Sequence, residues 1–322
     1  MTPKENALEV INWGNPESIP YSGDIYINCR MPTGVVDQPW TGGVDSFGTR
    51  WVATPEGAMP DPGIILFEDI EDWREYIKFP DLDKIDFHAM AATELANADR
   101  SQKLVNLLSV CGGFERLAAF MGFENALCAF AENPEECKNY FRAMTDFRIE
   151  FLKRVFDAYH PDIVNFFDDV ATSRGLFIAP ETWREIIKPE LKRLVDFVSE
   201  NGVIFSMHCC GMCSDIVEDF AECGVRIWSS AQTSNDIVAL KEKVRGRMVI
   251  EGGWDTTGPV SMPGGTVEMA LEEAKRCAEE YGPGGGFILM IILLNEKGNA
   301  LRVGDPRLDA IQKVWPEMSL YK

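Results

Sequence analysis

The chain has 322 residues, 46% of them hydrophobic and 25% charged, which is enough to bury one large core or two ordinary ones. A formal net charge of -20 repels nucleic acid and anionic membrane, so neither is expected as a partner. Nine cysteines without small-scaffold spacing, behind a start with no basic-then-apolar leader (Met1-Thr-Pro-Lys-Glu-Asn-Ala7), predict free thiols in a reducing cytoplasm.

Residues 1–65 are rich in Gly, Pro and Trp. They read as a loop-rich extension packed on the rest, with one short strand near Asp24-Ile-Tyr-Ile-Asn28. Residues 66–150 read as mostly helical: Phe67–Ile77 has helical spacing, and Asn133-Pro-Glu-Glu136 opens a long helix with Pro in its first turn. The aromatic stripe Phe114, Phe120, Phe123 and Phe130 is expected in the core.

The second half is more regular, with short apolar strands alternating with amphipathic helices. Strands are predicted at 162–167, 203–206, 225–228, 247–251 and 286–290, and helices over 181–200, 215–223, 237–244, 267–281 and 306–314. The longest apolar run, Gly286–Leu294, is too short to span a bilayer. So many units in a row predict a parallel sheet with helical cover, and a single (β/α)8 barrel over residues 66–322 rather than an open sheet. Several strands end in polar or small residues: Asp168-Asp169, His208-Cys-Cys210, Ser229-Ser230 and Gly252-Gly253. In a barrel those ends converge on one face, where the active site sits.

The stretch Phe205-Ser-Met-His-Cys-Cys-Gly211 carries the most chemistry. Strand alternation aims His208 and Cys210 the same way and Cys209 the opposite way. An imidazole and a thiolate two residues apart form half of a tetrahedral zinc site. The bland alternative is a core histidine beside a structural cysteine. Cys210-Gly-Met-Cys213 also spells a dithiol pair, though it lacks the small-domain setting of a redox motif. Asp168 and Asp169 are the candidate catalytic carboxylates, for proton transfer or for supporting the site, with helix capping as the structural alternative. Met207 and Trp254 are expected to line an apolar pocket, with Asp255 at its mouth. The glycines of Glu251-Gly-Gly-Trp-Asp255 would let a ligand approach the backbone.

From about Val44 to the C-terminus the chain resembles the uroporphyrinogen decarboxylase-like superfamily, which includes corrinoid-dependent methyltransferases. The marks are Asp45-Ser-Phe-Gly-Thr-Arg-Trp51, Gly113-Phe-Glu-Arg-Leu117, Asp168-Asp169, Gly175–Pro180, Trp183–Pro189, His208–Gly211, Gly252–Thr256 and Asn299. The resemblance implies one barrel domain. Its decarboxylases bind an eight-carboxylate tetrapyrrole through an Arg-rich loop; the corresponding Asn28–Gly34 holds one arginine, Arg30. The methyltransferase branch is closer. There a His-x-Cys pair and a later Cys or His hold zinc, and methyl transfer runs to or from cobalt in a separate corrinoid protein. His208 and Cys210 match the pair, while the third position falls near Leu293, which cannot ligate. Cys213, Asp169 or Glu185 would complete the site, or zinc is weak or absent.

The expected function is therefore methyl transfer between a small substrate (methoxylated aromatic, methylamine, methylthiol or coenzyme thiol) and a corrinoid partner, with zinc assistance. A uroporphyrinogen-type decarboxylase is the first alternative. A barrel that binds a tetrapyrrole or a protein without catalysis is the second.

Overall fold

The computed structural model describes residues 1–30, 36–54, 57–294, 300–301 and 304–321. Seven parallel strands form its main sheet: β1 (Tyr26–Cys29), β2 (Leu104–Ser109), β3 (Ile163–Phe167), β4 (Ile204–His208), β5 (Ile227–Ala231), β6 (Val249–Gly253) and β7 (Phe287–Met290). Each strand pairs with the next in sequence. The two edges meet through the segment ahead of β1: Leu289 donates its N–H to the Pro20 carbonyl at 2.9 Å, and Tyr21 bridges Leu289 in parallel. The fold is the expected TIM-type α/β barrel. Among the described residues its closing position is taken by Pro20–Tyr21 rather than by a full eighth strand.

Every second strand residue faces the barrel interior. At the N-terminal end these are Leu104, Ile163, Ile227, Val249 and Ile288, which pack against Ala7, Val10 and Ile11 of helix α1 (Pro3–Ile11). One step further along, the inward positions turn polar: Asn106, Asn165, Ser206, Ser229 and Glu251, none more than 6% exposed. Tyr26 donates its hydroxyl to Glu251 at 3.1 Å, and burial pushes the Glu251 carboxyl up to about 7.

Helices cover the outside. α2 (Gly113–Met121) follows β2, and α3 (Pro134–Tyr159) buries Cys137, Tyr140, Phe141, Met144, Arg148, Phe151, Leu152, Val155 and Tyr159 at helical spacing. Asn133 caps α3 ahead of its Pro134, as predicted: its side chain accepts the Glu136 N–H.

Several boundaries differ from expectation. β1 lies inside the segment read as an extension, and β2 lies inside the stretch read as helical. The run Leu-Val-Asn-Leu-Leu-Ser is continuous and buried, and such a run has no period to separate strand from helix. Phe67–Ile77 yields only short turns at Ile70–Asp72 and Trp73–Tyr76, because the Asp69 carboxylate captures the Glu71 N–H at 2.9 Å. The single helix expected over 181–200 is two, Pro180–Ile186 and Lys188–Glu200; Pro189 has no N–H to continue the first. Among the described residues no helix is long and apolar enough to cross a membrane. All nine cysteines are free thiols.

Candidate metal centre

The C-terminal ends of β3 and β4 build the site. β4 ends at His208, Cys210 follows two residues on, and the chain then turns at Gly211 with φ of 83°. Alternation puts both side chains on one face: Cys210 Sγ lies 3.3 Å from His208 Nε2. The β3 ladder runs into the same place. Phe167 pairs with His208 in register, and their rings stack with centroids 4.0 Å apart. Two residues past that pair, Asp169 accepts the Cys210 N–H at 2.7 Å through Oδ1.

Asp169, His208 and Cys210 thus bring one carboxylate oxygen, one ring nitrogen and one sulfur to within 4.8 Å of one another. Tetrahedral zinc ligands at roughly 2.0–2.3 Å from the metal stand about 3.5 Å apart, so small side-chain shifts would close this set on an ion. The donor set also suits zinc chemically, being of the mixed N, S and O kind that leaves a fourth position open. Burial and the neighbouring Asp169 push the Cys210 thiol well up from its ordinary value, the direction a bound dication reverses.

Two of the three candidates for third ligand stand elsewhere. Glu185 is on an exposed helix face, where Lys138 donates to its carboxylate at 2.7 Å. Cys213 is fully buried on the other side of the turn, its thiol hydrogen-bonded with that of Cys209. Asp169 is the candidate that the fold brings to the pair. Leu293 is buried in the core, as its side chain requires. Asn299 and residues 31–34 of the one-arginine loop lie outside the described residues.

Asp168 has a structural task. Its carboxylate accepts the N–H groups of Phe114 at 3.0 Å and Glu115 at 3.0 Å, capping α2 from another strand. The α2 N-cap is Gly112, which has no side chain to do this. A Cβ there would stand 2.5 Å from the Asp168 Cβ. Burial raises the Asp168 carboxyl to about 7 against the pull of those two N–H groups, and Asp169 adds to the rise. Capping of the next helix was the structural alternative; Asp168 caps an earlier one instead, the helix that follows β2.

Glu115 was passed over as part of a motif. Its side chain faces Asp168 and Asp169, which together with burial push its carboxyl well above the usual range. Gly113-Phe-Glu-Arg-Leu117 contained the signal, an acid in the first turn of the helix after β2, but only the pairing of β2 with β3 brings it to the site.

The expected pocket residues face away from this centre. Met207, one residue off the inward phase, points outward with Phe166, Trp183 and Leu191 around a small buried cavity. Trp254 is 1% exposed and donates its indole N–H to Ser261 at 2.8 Å. The Asp255 carboxylate is spent on its own turn, accepting the N–H groups of Thr257 and Gly258. Gly252 permits a close approach, but of the Ala231 backbone rather than of a ligand.

An apolar cleft of about 460 Å³ opens beside the acids. Trp51, Met59, Ile64, Ile65, Phe123 and Phe177 line it, with Glu115 and Asp169. Phe123, expected in the core with its stripe, is 47% exposed here.

A family profile for uroporphyrinogen decarboxylase matches residues 47–291, about three-quarters of the chain. The chain belongs to the uroporphyrinogen decarboxylase family. Among solved structures, a methyltransferase from Methanosarcina mazei superposes with a TM-score of 0.72 at 15% identity, over 98% of this chain and 99% of that one. At that identity the likeness speaks for the family's fold alone. A D-psicose 3-epimerase from Clostridium cellulolyticum H10, solved with D-tagatose, reaches a TM-score of 0.40 at 10% identity, over 74% of this chain and 82% of its own, too low to argue from. No protein with a curated description matches the chain.

Proposed function

We propose that this family member is a methyltransferase that moves a methyl group between a small substrate and a corrinoid protein, with zinc held by Asp169, His208 and Cys210. The observation that carries the reading is the convergence of those three ligand atoms within 4.8 Å at the strand ends. The full-length structural neighbour is named a methyltransferase, which supports the same choice within the family.

A decarboxylase acting on an eight-carboxylate tetrapyrrole fits the site less well. Glu115, Asp168 and Asp169 stand together there, and no ion pair joins any of them to a cation among the described residues. Bringing further carboxylates against them costs several kcal/mol by order of magnitude.

Zinc bound at the centre would supply a Lewis acid that holds a thiolate or polarises an ether oxygen. The chain's own residues do the rest. Asp169 fixes the Cys210 backbone through its 2.7 Å hydrogen bond, and Phe167 holds the His208 ring by stacking. Asp168 locks α2, and with it Glu115, in place beside Asp169. Glu115 is then poised to take up or release a proton near the reacting group.

The test is methyl transfer to cob(I)alamin from a panel of methoxylated aromatics and methylamines, read by the absorbance of methylcobalamin. Transfer from at least one donor is expected, reduced by about 100-fold or more in Cys210→Ala and His208→Ala. Transfer unchanged in both variants would overturn the reading.

A further inference from the structure

The cleft beside Glu115 has the features of a site built to be filled. Met59, Ile64, Ile65 and Phe123 are left 38–47% exposed around it, on a chain whose other aromatic residues mostly lie in the core. Exposed apolar side chains gathered on one concavity mark a binding surface rather than ordinary scatter. Four rings stand in the wall among aliphatic side chains. Phe177 stacks on Phe114 with centroids 5.6 Å apart and meets Phe123 edge-on at 4.8 Å, and Trp51 also lines the cleft.

The cleft's polar end is acidic. Asp169 and Glu115 both line it, and Asp169 also belongs to the ligand set with His208 and Cys210. A molecule in the cleft therefore meets the metal centre at Asp169, the one ligand candidate in the lining. The lining includes no Lys or Arg. Asp61, at the rim, is paired with the exposed Arg50 at 3.4 Å. A dication bound by an imidazole, a thiolate and a carboxylate leaves that group neutral, with Glu115 and Asp168 still beside it.

We propose that this cleft receives the methyl-bearing substrate, and that its aromatic wall and acidic end select an uncharged or cationic molecule over an anionic one. The idea rests on the methyltransferase reading and narrows its substrate class. Methoxylated arenes without a carboxylate and methylated amines fit; carboxylated aromatics and sulfonated thiols do not. Apolar burial supplies the affinity. Cation–π attraction to Phe123, Phe177 or Trp51 adds to it for a quaternary ammonium. An anion would lose its hydration beside Asp169 with no cation in the lining to compensate.

The test is calorimetric titration of the full chain with 1,2-dimethoxybenzene, phenyltrimethylammonium and 3,4-dimethoxybenzoate. The first two are expected to bind at least about tenfold more tightly than the carboxylate. Ala118→Phe, which fills the cleft from α2, is expected to weaken both by about tenfold or more. Phe123→Ser removes a half-exposed ring that meets Phe114 and Phe177 edge-on, and is expected to weaken the ammonium probe more than the neutral one. Equal or tighter binding of the carboxylate, or affinities that ignore both Ala118→Phe and Phe123→Ser, would overturn the proposal. Failure here is distinct from failure of the methyltransferase reading: zinc bound and cobalt methylated with no probe selectivity would sink the cleft alone, whereas selective binding without zinc would sustain the cleft and remove the metal.

Discussion

Helix α2 separates two groups of buried carboxylates that the fold treats in opposite ways. On one side Asp45 accepts the N–H groups of Phe47 and Thr49, each at 3.0 Å, and the Trp51 indole N–H at 2.8 Å. It also pairs with Arg116, whose guanidinium lies over Phe47 and Trp51. On the other side Glu115, Asp168 and Asp169 crowd together without an ion pair among the described residues. Adjacent residues of one helix, Glu115 and Arg116, thus belong to the unmatched group and the matched one. A carboxylate with its charge matched and every lone pair used ties the segment Asp45–Trp51 to α2. A group left unmatched is under electrostatic strain, which stability alone does not explain.

Breaking the matched side should cost most. Arg116→Met leaves Asp45 buried without its counter-charge and is expected to cost about 3–5 kcal/mol in urea unfolding, with zinc content unchanged once folded. Asp168→Ala removes the remote cap of α2 and is expected to cost about 1–2 kcal/mol, less than Arg116→Met despite similar burial, because its loss also relieves repulsion among the acids.

A third case sharpens the contrast through pH. Glu251 is buried beneath the site, where it accepts the Tyr26 hydroxyl, and its carboxyl is raised to about 7 from an ordinary 4.5. The folded protein therefore holds a proton there that the unfolded chain has released. That contribution is present below about pH 4.5 and is lost as pH rises toward 7. Glu251→Gln carries no such proton, so its stability relative to the parent should climb by on the order of 2–3 kcal/mol across that window in a series of urea titrations. The smallest effect belongs to Glu185→Gln: its pairing with Lys138 is exposed, and a change within about 0.5 kcal/mol with no effect on zinc is expected.

Much of this was legible in the sequence. Strand–helix alternation gave the barrel, and period-two alternation put His208 and Cys210 on one face and Cys209 on the other. The same rule, applied one residue earlier, places Met207 outside; its neighbourhood in sequence was a poor guide against its phase. What stayed hidden depends on which strands lie side by side. Asp169 reaches Cys210, and Glu115 reaches Asp169, through the β2–β3–β4 order, across separations of 41 and 54 residues that no local spacing reports. Asp45 and Trp51, six residues apart, were visible as a motif, but their partner Arg116 was not. Trp254 and Asp255 looked available because their loop follows a strand end; burial and a tight turn had already claimed them.

The measurement that tests the account most directly is zinc per chain, on protein purified without chelator, for the parent and for Asp169→Ala, Cys210→Ala, Cys213→Ser and Glu185→Gln. The account predicts about one zinc in the parent, Cys213→Ser and Glu185→Gln, and loss of zinc in Asp169→Ala and Cys210→Ala, with all five folded by circular dichroism. Zinc retained in folded Asp169→Ala, or absent from the parent even after zinc is supplied, would contradict it.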